Sequence, residues 1–261
     1  MKLAFAGKGG VGKTTLAAWM GDYLARQGRD VWLVDADTAL SLGRACGLER
    51  ADLPTPLIER EDLVRERIGE GMMHLNPDVS DLPENLAVDL PPVTPAPGDA
   101  ARPGRRRLLL MGSVAGAGGG CACSANALLK ALLAHLVLDR DTWLLVDLEA
   151  GVEHLGRGTV SGVDGLVVVS DPSRRGLETG AEVGRMAADL GLARQVLVVN
   201  RLRGGARRVP NLPGLPTNVL ASPPLEGLED RQLDSPSVLG LPEQAAVDTL
   251  CAGILEAVGK A

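Results

Sequence analysis

Short apolar runs alternate along this chain with longer segments whose apolar residues recur at helical spacing. Residues 2–7, 30–37, 107–113, 143–149, 164–170, 195–200 and 217–222 each have strand length, and several are unbroken Val/Leu runs. A strand covered on one face alternates apolar and polar positions, whereas an unbroken run belongs to a strand covered on both. Between the first two runs, "TTLAAWMGDYLARQG" sets Leu16, Trp19, Met20, Tyr23 and Leu24 on one helical stripe, and Gly28 stands where a C-terminal cap belongs. Near the end, Val247, Leu250, Ile254, Leu255 and Val258 form a second stripe, with Cys251 as a small buried apolar group. Strand followed by helix, repeated, predicts an α/β fold: three layers, with a mostly parallel central sheet and helices on both faces.

Residues 51–106 interrupt the rhythm. Their first third, "ADLPTPLIEREDLVRERIGEG", has the makings of a charged helix, but 91–104 is too rich in proline for regular structure. The expectation is a single domain over 1–261 with an irregular surface excursion at 51–106. No internal repeat is visible.

Composition narrows the partners. A net charge of −6 argues against a nucleic-acid footprint, and one Phe, one Tyr and three Trp leave no platform for stacking bases. The dense arginines at 102, 105, 106 and 107 read as a solvated loop end before a strand. The start enters a strand directly, without export features, and no apolar run reaches roughly 18 residues, so no membrane span is expected. Cytoplasm is then the expected compartment, where Cys46, Cys121, Cys123 and Cys251 are thiols or metal ligands rather than disulfides.

The chemistry begins with "GKGGVGKTT", Gly7 to Thr15, set between an apolar strand and an amphipathic helix. This is the phosphate-loop pattern in the context it requires, and the fold is expected to be that of a P-loop NTPase. The glycines let backbone N–H groups of Gly9, Gly10, Val11 and Gly12 turn toward phosphate oxygens. Lys13 is placed for the β- and γ-phosphates, Thr14 for Mg²⁺, and Thr15 for the loop's exit at a helix N-terminus.

Lys8 is a second lysine that the general pattern does not need. With it, "KGGVGKTT" resembles the deviant Walker A class of dimeric ATPases, which includes MinD, ParA, the nitrogenase iron protein and the nickel-insertion ATPases. The resemblance implies a homodimer in which Lys8 reaches the partner's nucleotide, as an arginine finger does. It implies that Asp37, in "VWLVDAD", positions or deprotonates the attacking water while Asp35 lies near the Mg²⁺ shell. Thr38 and Ala39 stand where that class often has Pro-Asn. It also implies that Asp147, in "LLVDLEAG", holds Mg²⁺ through water as the Walker B carboxylate, with Gly151 free to swing. Asn200 matches the class's adenine-reading asparagine, with Arg201 beside it. Pro223, Pro224 and Leu225 fall where a loop packs on the base. Guanine-binding relatives carry an aspartate three residues after their asparagine; here that position is Arg203, which points to ATP.

Cys121 and Cys123 remain, in "GGGCACSANALL". A Cys-X-Cys pair is cramped for a disulfide and supplies half the ligands of a closed tetrahedral site. A two-fold dimer supplies the other half, giving a Cys₄ site on the axis for Zn²⁺ or Ni²⁺. A helix starting near Ser124 would lower the thiol pKa values. His154 and His135 are further candidates. Together, "GKGGVGKTT", "GGGCACSANALLKALL" and "DLEAGVEHLGRGT" are similar to the CooC-type nickel-insertion ATPases. That similarity implies a client metalloenzyme, carbon monoxide dehydrogenase. Two other readings are a positioning ATPase of the MinD or ParA kind and an electron-transfer ATPase like the nitrogenase iron protein. The last twenty residues hold one lysine and no arginine, little for a membrane-binding helix, and "DLEAGVEHLGRGT" has no cluster cysteine.

Overall fold

In the computed structural model, residues 1–69, 77–95, 102–112, 127–128, 131–136, 142–148 and 162–259 are described. The continuous apolar runs become the strands of one sheet: β1 (Lys2–Gly7), β2 (Asp30–Ala36), β4 (Arg106–Leu110), β5 (Thr142–Leu148), β6 (Gly165–Ser170), β7 (Gln195–Val199) and β8 (Asn218–Ala221). An eighth strand, β3 (Val88–Asp89), lies within 51–106. The order is β3-β4-β2-β5-β1-β6-β7-β8, parallel throughout except for antiparallel β3 on β4.

Each strand divides its side chains between two cores. Leu3, Phe5, Val31 and Leu33 point to one face, covered by α1 (Lys13–Arg26), α2 (Leu42–Ala45) and the last helix. Ala4, Ala6, Trp32 and Val34 point to the other. Helices α3 (Glu61–Ile68), α4 (Leu82–Leu86) and α5 (Arg174–Asp189) lie on that second side, as do helical residues 131–135. The chain closes with α6 (Glu226–Asp234) and α7 (Gln244–Gly259), which buries Val247, Leu250, Cys251, Ile254 and Val258; Leu255 is half-buried. In α1, Leu16, Trp19, Met20 and Leu24 are buried, and Gly28, at φ 80°, donates to the Ala25 carbonyl at 3.0 Å to end the helix.

The stretch 51–106 differs from the irregular surface excursion expected of it. It contributes α3, α4 and β3, and Leu57, Val64, Ile68, Leu82 and Leu86 are buried in the second core. Val64 and Ile68 are four apart, so a helix of mostly charged residues still presents one apolar edge to the sheet. None of the described helices is long and apolar enough to cross a membrane.

Candidate functional site

The parallel register brings three strand ends together. Asp147 stands beside Phe5 on β1 and beside Asp35 on β2, so two carboxylates meet directly under the loop that leaves β1. Both are fully buried. This is the carboxyl edge of a parallel sheet, where α/β folds place ligands.

The loop itself is a cradle. A cavity of about 460 Å³ is lined by Gly9, Gly10, Gly12, Lys13, Thr14 and Thr15. Asp37, Thr38, Ala39, Ser41, Arg201 and Gln232 complete the lining. Gly12, at φ 104°, caps α1; a Cβ there would lie 2.5 Å from the Asn200 amide nitrogen. Lys13 is buried, and its Nζ lies 3.5 Å from the Lys8 carbonyl oxygen. Val11 is buried beneath the loop rather than facing the cavity.

Thr14 donates from Oγ1 to Asp147 Oδ2 at 2.6 Å. The other oxygen, Asp147 Oδ1, is buried and has no partner among the described residues. Burial pushes this carboxyl up to about 7; the Thr14 hydrogen bond opposes the shift, Asp35 adds to it, and Lys13 opposes it. An orphaned oxygen next to a threonine hydroxyl, with a lysine close by, is a donor set that suits Mg²⁺ with phosphate oxygens.

Asp35 is engaged differently. Its Oδ1 accepts from Asp37 N at 3.2 Å and its Oδ2 from Leu42 N at 2.9 Å, so it shapes the segment carrying Asp37. Burial pushes it up to about 6, against the pull of those two backbone donors. Asp37 accepts from Ala39 N at 2.9 Å and faces the cavity. Leu40, at φ 46°, is a left-handed non-glycine in this segment, a conformation that costs energy and recurs in functional loops.

Asn200 spends its amide on the protein. Nδ2 donates to the Val11 carbonyl at 2.9 Å and Oδ1 accepts from Arg201 N at 3.0 Å, pinning the phosphate loop to the end of β7. Arg201, at φ 58°, faces the cavity. Pro223 and Leu225 do not; they line a separate apolar cavity of about 410 Å³ with Trp19, Val247 and Leu250. Pro224 is half-buried beside them. Sequence reasoning missed Gln232 and Ser41. Ser41 lies four residues beyond Asp37 on the same segment, a local signal, whereas Gln232 reaches the cavity from α6 through the tertiary fold alone.

Lys8 is half-buried and is not part of its own chain's cavity wall. Cys121, Cys123, Gly151 and His154 lie outside the described residues. His135 is exposed, at the end of helical residues 131–135. Cys46 and Cys251 are buried free thiols. Among the described residues no cluster of three or more His, Cys, Asp or Glu is arranged to hold a metal ion.

A glycine loop between the central strand and a helix, with a buried lysine and paired carboxylates at its foot, defines a P-loop nucleotide-binding protein. Residues 3–215 match the family model for the CobQ/CobB/MinD/ParA nucleotide binding domain, and the chain belongs to that family of P-loop ATPases. It is 39% identical over 209 residues to the carbon monoxide dehydrogenase accessory protein CooC of Rhodospirillum rubrum, covering 77% of this chain and 74% of that protein. An uncharacterized ATP-binding protein of Methanocaldococcus jannaschii is 35% identical over 78% of this chain and 76% of its own length. The fold is that of MinD from Pyrococcus horikoshii OT3, solved with Mg-ADP: TM-score 0.64 at 19% identity, over 99% of this chain and 96% of that one.

Proposed function

We propose that this chain is an ATP-hydrolysing maturation factor that binds a transition-metal ion between two copies of itself and assists nickel insertion into carbon monoxide dehydrogenase. The observation that carries the client assignment is the 39% identity to CooC across three quarters of both chains. The likeness to MinD is at a level that speaks for the fold alone.

The geometry of the site supports the nucleotide part of this reading. The loop N–H groups and the start of α1 hold the phosphates, and Lys13, buried and donor-only, neutralises them. Asp147 Oδ1 and Thr14 Oγ1 are the oxygens suited to Mg²⁺, which when bound screens the β- and γ-phosphate charge. Asp37, held at the cavity wall by Ala39 N, accepts the proton of the attacking water. Lys8, outside its own cavity wall, supplies positive charge to the partner's transition state. Arg201 and Gln232 line the same cavity as the loop and would contact the rest of the nucleotide, and Arg203 in place of an aspartate favours adenine. Closing the dimer would bring two Cys121–Cys123 pairs together on the axis, where Ni²⁺ or Zn²⁺ is cargo.

The test is reconstitution with nickel-free carbon monoxide dehydrogenase, Ni²⁺ and this protein. Activation is expected with Mg-ATP and not with a non-hydrolysable analogue. Equal activation with and without the protein would overturn the client assignment.

A further inference from the structure

Two elements of opposite charge border the phosphate-loop cavity. The first is the connection that leaves β7. Between Asp189 and Glu226 there is no acidic residue, in a protein whose net charge is −6. Within that stretch Arg201, Arg203, Arg207 and Arg208 are all exposed. The loop that carries them is built rather than loose: Gly204 and Gly205, at φ 89° and 79°, turn the backbone, residues 206–208 form a 3-10 turn, and Arg208 Nη1 donates to the Arg203 carbonyl at 3.0 Å. Leu202 and Val209 pack on the second core at its two ends, and Arg201 lines the nucleotide cavity.

The second element is α6. Glu226, Glu229, Asp230 and Asp234 are exposed, and none of its nine residues is buried. Its single cation, Arg231, is half-buried and donates to the Leu239 carbonyl of its own chain. Leu233 is 88% exposed. One exposed leucine carries little meaning by itself. Here it stands in an acidic helix with no buried residue, next to Gln232, which lines the same cavity as Arg201.

A basic and an acidic element on one rim are self-complementary, because a two-fold axis sets the loop of each copy against the helix of the other. We propose that loop 201–208 of one copy docks on α6 of a second copy, covering Leu233, so that the partner closes over the mouth of the nucleotide cavity. The proposal rests on the homodimer reading above and names a contact separate from Lys8 and from the cysteines. It ties assembly to nucleotide, since Arg201 and Gln232 belong both to the rim and to the cavity wall. A nucleic acid or an acidic client would be drawn to the arginines and repelled by the neighbouring helix, whereas a copy of this chain satisfies both charges at once.

The test is analytical ultracentrifugation of the full chain with Mg²⁺ and a non-hydrolysable ATP analogue, with Ni²⁺ added where the analogue alone does not dimerise the wild type. Arg207→Glu is one variant, and Glu229→Arg with Asp230→Arg is the other; none of these residues lines the cavity, so both should bind the analogue within about threefold of wild type. Each variant alone should raise the dimer dissociation constant at least tenfold at low salt, because every substitution occurs twice in a two-fold dimer. An equimolar mixture of the two should dimerise within about threefold of wild type, since the heterodimer matches opposite charges at both contacts. Leu233→Asp should weaken the dimer at least fivefold and decides the matter should a charge variant fail to fold. Dimerisation unchanged in both charge variants, a mixture no better than its components, or a Leu233→Asp dimer as tight as wild type would each overturn the proposal. A wild-type chain that stays monomeric with analogue and Ni²⁺ together would instead remove the homodimer reading, and the proposal with it.

Discussion

Asp147 has one carboxylate oxygen bonded to Thr14 and the other buried without a partner, an arrangement that is costly until a cation arrives. Its carboxyl sits near 7 in the folded chain against 3.8 when unfolded, so between those values the native state holds more of the proton. Stability from this group is fully present below about pH 4 and is lost as pH rises through about 7. Asp147→Asn keeps an acceptor for Thr14 and removes the ionisation. The nucleotide-free variant should therefore gain on wild type as pH rises from 4 to 8, reaching on the order of 2 kcal/mol in denaturant melts. It should also lose most Mg²⁺-dependent nucleotide affinity. A constant difference between the two proteins across that range would remove the buried carboxylate as the cause. Lys8 makes the opposite case, a charge with no task in its own cavity wall. Lys8→Ala should leave ATP binding within about threefold of wild type and lower turnover by roughly 10³, the scale of losing a finger residue. Steady-state hydrolysis at the wild-type rate would show that Lys8 does not act across a dimer.

Elements differ in how openly the sequence displays them. The central strands were legible because they are covered on both faces and so are written as apolar runs, while the edge strand β8, only half-buried, was legible by its length and apolar content. β3 was not: two residues pairing with Leu108 and Arg107 leave no periodic trace. The 51–106 stretch misled because prolines at 83, 91 and 92 and the charges of α3 look like loop, while the packing rests on a few apolar positions spread between them. Ile68 is fully buried against the second face, so Ile68→Ala should destabilise the chain by about 2–4 kcal/mol. Glu66→Ala, on the exposed side of the same helix, should change stability by less than about 0.5 kcal/mol. Equal effects in urea unfolding would mean that α3 is not docked on the sheet. In the site, the loop was readable as a contiguous pattern, because phosphate binding is local chemistry, although Val11 is buried beneath it rather than facing the cavity. Asn200 was readable as a position but not as a contact, since its bond to Val11 joins residues 189 apart. Gln232 carried no signal at all, for the same reason of distance along the chain.

At the scale of the whole molecule the question is what a second copy completes. Cys46 and Cys251 are buried inside one subunit, and burial holds both thiols well above the ordinary range, so neither is poised to bind metal without unfolding. That leaves Cys121 and Cys123, two ligands per chain where a closed tetrahedral site takes four. If two subunits share one ion, binding should saturate at one Ni²⁺ or Zn²⁺ per two chains and should draw monomers into dimers without nucleotide, because the metal binds only the state that completes its shell. If nucleotide acts on the same equilibrium from the other site, ATP should tighten metal binding, and metal should tighten ATP binding by an equal factor. Double replacement of Cys121 and Cys123 by Ala should abolish metal uptake and metal-driven dimerisation while the loop still binds ATP. Cys46→Ala and Cys251→Ala should leave the stoichiometry unchanged. Native mass spectrometry across a metal titration reads each of these species directly. One ion held tightly by a monomer would mean that a local group, His154 or His135 among them, completes the shell, and the shared site would have to be given up.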